Sequence, residues 1–290
     1  MNSSTVDVHE LIAWGLDEYP CRTSATGSKP EEFAKHIEQA QQQLAMRTPH
    51  VTCSALLTEE TESVKDLFVA TMQRDDLKKE YEDLDWTLGV VDLRYLLAFQ
   101  RRLVFSHRSH HSHTPKQNDW AALISFTLSE PRATKCFLRR RGNSTGDFDV
   151  SLYSSNPDLK VRLNRQAGAD DASLLSLYGG SPFFEVAELR GRWFLRDGYH
   201  RAYRLLQAGV NQVPAVVIRA RTLEELGATD PWFFGEEQLF SDLPPRVMDF
   251  LDESMVLRYQ RAALRKVIRI RIEESLQPLD EIEEIQGEDQ

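Results

Sequence analysis

The sequence predicts an α+β protein, and three observations lead to that fold class. Apolar residues recur at helical spacing between Phe33 and Leu44. Apolar and basic residues alternate strictly over 268–272, which is typical of a half-buried strand and predicts one at 267–272. The apolar run at 213–218 follows a helix-forming segment and indicates a buried strand. Helices and strands are therefore expected in one chain.

Composition limits the classes of protein. A chain of 290 residues with 41% hydrophobic residues can bury one large core or two ordinary ones. The net charge of −10 argues against a general nucleic-acid-binding surface, although a local basic patch stays open. Cys21, Cys53 and Cys136 are too widely spaced for a disulfide framework or a zinc site. With no bilayer-spanning run and no leader pattern, we expect a cytoplasmic protein without membrane contact.

The first third of the chain is predicted to be helical after a flexible start. Residues 1–30 are expected to form a flexible arm, because their last part is rich in turn-forming residues. Residues 31–88 are predicted to be a helical region. One helix is expected at 30–47, which Pro30 is suited to begin, and a second long helix at 58–84.

Residues 89–275 are predicted to form the main domain. It begins with a short strand and a turn, and β structure is expected at 135–165. An apolar segment at 120–129 is predicted to pass from helix to strand. Further helices are expected at 174–178, 222–226 and 247–265. An acidic, disordered tail is expected at 276–290.

The clearest unit in the chain is a β-β-α-β arrangement. Aromatic and β-branched residues predict strands at 183–188 and 193–196, joined by a connection of hairpin length. A helix at 200–208 and a strand at 213–218 follow. Gly209 stands where helices commonly end in a left-handed residue.

The turn before this helix is a candidate anion site. Gly198 lets a ligand approach the backbone, and the unpaired amides and dipole of a helix start favour phosphate. Arg201 is suited to hold two phosphate oxygens, and His200 to donate a hydrogen bond or move a proton. Asp197 is suited to cap the helix, hold magnesium or orient His200. The competing interpretation is a simple Asp-Gly turn with a helix cap.

The segment from Asp197 to Gly209, followed by Val213 and Pro214, resembles the ParB/sulfiredoxin superfamily. The resemblance matches Gly198 to the glycine of the ParB Gly-Glu-Arg-Arg box, Tyr199 to its glutamate, and His200 and Arg201 to its arginines. It implies contact with the triphosphate of CTP. Relatives that phosphorylate free serine carry Asp-Gly-x-His-Arg, which these five residues fit best.

A second segment is similar to the start of ParB-like domains. Phe99-Gln100-Arg101-Arg102 resembles their Tyr-Gln-Pro-Arg turn. The two segments lie farther apart than in the family, so together they imply a ParB/sulfiredoxin-like core within 89–275 that has a β insertion at about 107–172. An N-terminal helical region and a C-terminal helix-strand extension complete the predicted architecture. The two segments also imply a nucleotide site that includes Gln100 and Arg101.

The resemblance implies a nucleotide-binding protein that uses CTP or ATP with Mg²⁺. Asp197, His200 and Arg201 would be catalytic in hydrolysis or phosphoryl transfer, Gly198 and Tyr199 would bind nucleotide, and Asp197 would bind the metal. Tyr199 replaces the sulfiredoxin cysteine, which removes sulfinic acid reduction. The helix-turn-helix of chromosome-partition ParB does not follow. The alternative is a non-catalytic adaptor or DNA-associated protein, with a protein or DNA partner.

Three other patterns are weaker. His107, His110, His111 and His113 are suited to bind a transition metal, but a polar loop is the simpler interpretation. Arg139-Arg140-Arg141 is suited to bind phosphate or nucleic acid, but a solvated hairpin is the simpler interpretation. Trp232-Phe233-Phe234 is expected to pack in the core, with base stacking as the alternative.

Overall fold

The computed structural model describes residues 5–15, 30–106, 113–130, 137–142, 148–154, 159–163, 175–178 and 181–273. The chain is α+β, as the sequence predicts. The described parts of Met1–Arg132 and Ser181–Ala263 form a larger compact unit. Those of Ala133–Gly180 and Leu264–Gln290 form a smaller unit. The predicted acidic tail lies outside the described residues.

The helices are α1 (Pro30–Ala45), α2 (Thr58–Ser63), α3 (Lys65–Met72), α4 (Asp75–Glu80), α5 (Trp120–Thr127), α6 (Tyr199–Gln207), α7 (Leu223–Leu226) and α8 (Glu236–Leu239), with 3₁₀ turns at Leu93–Tyr95 and Val247–Leu251. The strands are β1 (Thr5–Leu11), β2 (Trp86–Asp92), β3 (Leu97–Ala98), β4 (Arg102–Ser106), β5 (Phe137–Gly142), β6 (Phe148–Ser154), β7 (Lys160–Leu163), β8 (Leu175–Tyr178), β9 (Glu185–Leu189), β10 (Arg192–Asp197), β11 (Gln212–Arg219), β12 (Val256–Ala262) and β13 (Lys266–Ile272).

A central sheet of the larger unit has the order β2-β11-β9-β10-β3. β9 and β10 form the predicted hairpin, whose turn residues Arg190 and Gly191 have φ of 52° and 77°. Positive φ at both positions is the geometry of the tight hairpin turn that matches strand twist. α6 then leads to β11, which pairs parallel to β9 and antiparallel to β2. The predicted β-β-α-β unit is therefore confirmed.

The helix of this unit buries one face against the core. Tyr199, Ala202, Tyr203, Leu205 and Leu206 are buried on α6, which is the spacing of a single helical stripe. The chain leaves the helix through Gly209 with φ 76°, as the sequence predicts. These contacts fix the start of α6 relative to the sheet.

An outer antiparallel sheet of the larger unit has the order β12-β1-β4. Alternate residues of β1 and β12, including Val8 and Leu257, face α1 and form a second core with its apolar stripe. The opposite face carries Asp7 and His9 of β1. Asp7 and His9 line a cleft on this second face.

Two predictions in this region were wrong. Part of the predicted flexible arm is β1, and the predicted helix at 247–265 is a 3₁₀ turn followed by β12. Both strands alternate between buried and more exposed residues with a period of two. They stabilise one another by pairing from Thr5–Ala262 to Leu11–Val256, a long-range contact that local propensity does not contain.

The predicted long helix at 58–84 was also wrong, because three short helices occupy it. Arg74 adopts extended backbone angles between α3 and α4. Its guanidinium donates to the carbonyl of Leu128 at 2.5 Å and to Asp76 at 2.6 Å. The break between α3 and α4 therefore coincides with a tertiary contact of Arg74 with Leu128. The predicted helix at 174–178 was wrong as well, because β8 occupies this segment.

The smaller unit contains two antiparallel sheets. β13, β6 and β5 form one of them, and β7 pairs with β8 in the other. These strands confirm the predicted β structure at 135–165 and the strand at 267–272. In β13, Arg269 and Arg271 are more exposed than Ile268 and Ile270, as their alternation predicts.

Candidate functional site

The start of α6 is entered through a bulged strand and a left-handed glycine. The pairing of β10 with β9 shifts register between Leu195 and Asp197, and such bulges redirect the chain. Gly198 has φ 97°, and a Cβ there would lie 2.6 Å from Cδ2 of the buried Phe184 ring. Asp197 Oδ1 accepts a hydrogen bond from the Gly198 amide. Glycine is required here by conformation and by space.

Tyr199 joins the two segments that carry the family resemblance. Its hydroxyl accepts hydrogen bonds from the amides of Phe99 at 3.0 Å and Gln100 at 3.3 Å. These contacts cross 100 and 99 residues of sequence. Burial raises the pKa of Tyr199, so the phenol stays neutral. The buried tyrosine therefore connects α6 to the 99–102 segment.

Arg201 connects α6 to the backbone around α5 and β9. Its guanidinium donates to the carbonyls of Thr127 at 3.1 Å, Pro182 at 2.6 Å and Phe183 at 2.5 Å. The guanidinium carbon lies 5.7 Å from the centroid of the Phe184 ring. Its position in the fold is thus determined by three carbonyls. Its predicted role as a phosphate ligand stays a prediction.

His200 faces the surface between these two anchored neighbours. The side chain is exposed, and its Nε2 lies 3.0 Å from the carbonyl oxygen of Val104. Its ring packs edge-on against Phe105, with the centroids 5.2 Å apart. Among the five residues from Asp197 to Arg201, His200 is the one with an exposed side chain.

Gln100 and Arg101 are also tied to the surrounding chain. The Gln100 amide Nε2 donates to the carbonyl of Arg102 at 2.8 Å. Arg101 donates to the carbonyls of Gly15 and Phe233, each at 3.2 Å, and lies over the Phe234 ring at 4.3 Å. Phe234 is buried, as the core interpretation of its aromatic segment predicts. Both side chains therefore form hydrogen bonds with backbone carbonyls of the protein.

A buried charge network lies beside the turn, and sequence reasoning missed it. Glu185 is 1% exposed, accepts a hydrogen bond from the Tyr81 hydroxyl at 2.6 Å and pairs with the Arg196 guanidinium. Burial, and then the charge of Glu185, raise the pKa of Tyr81. The sequence does contain a signal for this network, because Glu185 is a single carboxylate within the apolar run at 183–187 and a buried carboxylate needs a partner.

A cleft on the second face of the outer sheet was also missed. Its volume is about 370 Å³, and His9, Phe105, Tyr203 and Arg258 are among the residues that line it. Burial, followed by the charge of Arg258, lowers the pKa of His9. His9 was not expected in a cleft, because the strand that carries it was predicted to be part of a flexible arm.

Comparison with models of known families, with curated proteins and with solved structures finds no match.

Two metal sites were predicted, one for magnesium at Asp197 and one for a transition metal at the histidine cluster. Across the described residues, no group of three or more His, Cys, Asp or Glu side chains could hold a metal ion. Magnesium bound with a nucleotide takes one or two carboxylates together with phosphate oxygens and water, and the single carboxylate of Asp197 fits that donor set. Of the predicted histidine cluster, 107–112 lies outside the described residues and His113 is exposed.

Two further predictions concern the arginine run at 139–141 and membrane contact. Arg139, Arg140 and Arg141 lie in β5, where the structure describes the backbone pairing with β6. None of the helices in the described ranges has both the length and the apolar character that a bilayer crossing requires.

The lowered pKa of His9 gives a prediction about stability and pH. Below about pH 6.5 the unfolded chain binds a proton at this position more readily than the folded chain, so stability falls as the pH falls. We expect the wild type to lose more stability between pH 7.5 and pH 5.5 than His9→Gln. Denaturant unfolding at both pH values measures the difference. Equal losses in the two proteins would contradict the prediction.

Proposed function

We propose that the protein binds a nucleotide at the start of α6, as in the ParB/sulfiredoxin superfamily. The observation that carries the proposal is the contact between Tyr199 and the backbone of Phe99 and Gln100. The two segments that resemble the superfamily lie far apart in sequence and meet at this turn. Their meeting supports a shared ligand site rather than two unrelated local similarities.

The local chemistry suits a phosphate. The internal hydrogen bonds of α6 begin with Ala202 donating to the carbonyl of Gly198, so the preceding amides point out of the helix start. The dipole of this nine-residue helix favours an anion at that end. His200 is exposed, and its protonated ring would donate to phosphate from Nδ1 while Nε2 donates to the Val104 carbonyl. Asp197 would hold Mg²⁺ together with the phosphate oxygens. CTP and ATP, both cytoplasmic nucleotides, are the proposed ligands.

The roles within the turn are divided. Arg201 already donates to three carbonyls, and we assign it the positioning of α6. His200 is the side chain that would contact phosphate, as a hydrogen-bond donor or as a group that moves a proton. Whether phosphate is held, hydrolysed or transferred is read from the products after incubation with CTP or ATP.

A non-catalytic adaptor is the second candidate function. The bonds of Arg201 and Tyr199 favour it, because both predicted ligands have structural partners. An adaptor would keep the same fold and bind no nucleotide. A DNA-associated protein would instead bind duplex DNA with an affinity that falls steeply as salt rises. Both candidates can be separated from nucleotide binding with the same purified chain.

Calorimetric titration of CTP, ATP, ADP and GTP with Mg²⁺ into the full chain tests the proposal. We expect at least one triphosphate to bind, and His200→Ala to weaken it about tenfold to a hundredfold, the value of one charge-assisted hydrogen bond. His36→Ala is the matched control, because His36 is also an exposed helical histidine. It should bind like the wild type.

The outcomes separate the candidates. A natively folded wild type that binds none of the four nucleotides would exclude the proposal and favour the adaptor. Nucleotide binding that His200→Ala leaves unchanged would remove the site assignment. Salt-sensitive DNA binding without nucleotide binding would support the DNA-associated alternative.

A further inference from the structure

The cleft of about 370 Å³ lies between one face of the outer sheet and α6. Strand alternation places Asp7 and His9 on the face opposite the second core. The register sets Asp7 beside both Phe105 and Gln260, and His9 beside Arg258. Three strands therefore supply one wall of the cleft, and Tyr203 of α6 contributes to its lining.

One side of the cleft is aromatic. The His9 ring centroid lies 4.7 Å from that of Phe105 and 5.6 Å from that of Tyr203. The ring centroids of Phe105 and Tyr203 are 5.3 Å apart, so each of the three rings packs against the other two. Aromatic faces at a cleft surface favour the stacking of a flat ring, and every nucleobase presents such a ring.

The polar groups of the cleft suit an uncharged ligand. Asp7 and Arg258 carry opposite formal charges, and the lowered pKa of His9 leaves its imidazole neutral at pH 7. Gln260 donates to Asp7 at 2.9 Å, which places an amide beside a carboxylate. No hydrogen-bond partner among the described residues reaches the buried Nδ1 of His9. A heterocycle with donors and acceptors on its edge fits these groups better than a phosphate does.

The cleft adjoins the start of α6 through Phe105, which lines the cleft and packs against His200. His200 and Tyr203 are three residues apart and so lie on the same face of the helix. Both rings pack on Phe105, at 5.2 Å and 5.3 Å between centroids. A ligand with a heterocycle at one end and a phosphate at the other can therefore occupy the cleft and reach the turn.

We infer that this cleft takes the base of the nucleotide, while the start of α6 takes its phosphates. This inference rests on the proposed function and adds the part of the site that recognises the base. The volume lies within the range of small-molecule sites, roughly 300 to 1,000 Å³. β1, β4 and β12 would thus take part in base recognition.

Titration of CTP and ATP, each with Mg²⁺, against inorganic triphosphate with Mg²⁺ tests the inference on the full chain. Phe105→Leu removes the aromatic face while it keeps an apolar side chain. Gln260→Ala removes one exposed polar group, which leaves the packing intact. We expect Phe105→Leu to weaken nucleotide binding about tenfold, which is within the range for one base–aromatic stack. Gln260→Ala should weaken it several-fold and should bind inorganic triphosphate like the wild type. Because Phe105 also packs against His200, Phe105→Leu should weaken inorganic triphosphate binding too, but less than nucleotide binding.

Gln207→Ala is the matched control, because Gln207 is an exposed residue at the far end of α6. It should bind all three ligands like the wild type. If the wild type binds nucleotide and neither cleft variant weakens it, the base site is excluded and nucleotide binding stands. Equal weakening of nucleotide and inorganic triphosphate would also exclude a base site. If the wild type binds none of the three, the proposed function itself fails.

Discussion

Gly198→Ala is expected to lower the free energy of unfolding by about 3 kcal/mol. An alanine at φ 97° is held in a left-handed conformation that costs roughly 1 to 2 kcal/mol. Its Cβ would also lie 2.6 Å from Cδ2 of Phe184, and relief of such overpacking costs roughly 1 to 3 kcal/mol. Phe184 is fully buried, so its ring has little room to move. Denaturant unfolding measures the loss.

Gly209→Ala separates the two contributions to this loss. Gly209 also has positive φ, at 76°, but no neighbour lies within 4 Å of the Cβ position. We expect it to lose only the conformational part, about 1 kcal/mol. Equal losses at Gly198 and Gly209 would contradict the predicted conflict with Phe184.

Arg201→Ala is expected to lower the free energy of unfolding by about 3 kcal/mol. The side chain donates three charge-assisted hydrogen bonds to carbonyls, and each is worth roughly 1.5 to 3 kcal/mol without full additivity. Arg201→Lys should lose most of the same stability, because one ammonium does not reproduce the planar fork of a guanidinium. Thermal and denaturant unfolding of both variants give the comparison.

Arg221→Ala is the matched control for Arg201. Arg221 is 73% exposed and pairs with Glu225, four residues later in the chain, so Arg221→Ala should lower the free energy of unfolding by less than about 0.5 kcal/mol. A stable Arg201→Ala protein that has lost nucleotide binding would contradict the assigned role. Arg201 would then act mainly on the ligand.

The central unit was predictable because local and long-range signals agree there. The hairpin turn at Arg190 and Gly191, the apolar stripe of α6 and the buried run of β11 each favour the observed structure on their own. β1 and β12 were missed for the opposite reason. Their strand character depends on pairing between the two ends of the larger unit.

The candidate site was predictable only in part. The Asp-Gly turn and the helix start follow from local sequence, whereas the partners of Tyr199 and Arg201 come from distant segments. From their residue types, Tyr199 and Arg201 were predicted to bind a ligand, whereas in the structure both form hydrogen bonds with distant backbone groups. The cleft could not be predicted without β1, because His9 enters it from that strand.

Titration of CTP and ATP, with Mg²⁺, into the wild type and into His200→Ala is the most direct test of a nucleotide site at this turn. Unfolding of the same two samples shows whether the fold is equally stable. We predict that the wild type binds a triphosphate and that His200→Ala, with wild-type stability, binds it about tenfold or more weakly. A folded wild type without binding, or a variant that binds equally well, would contradict the site.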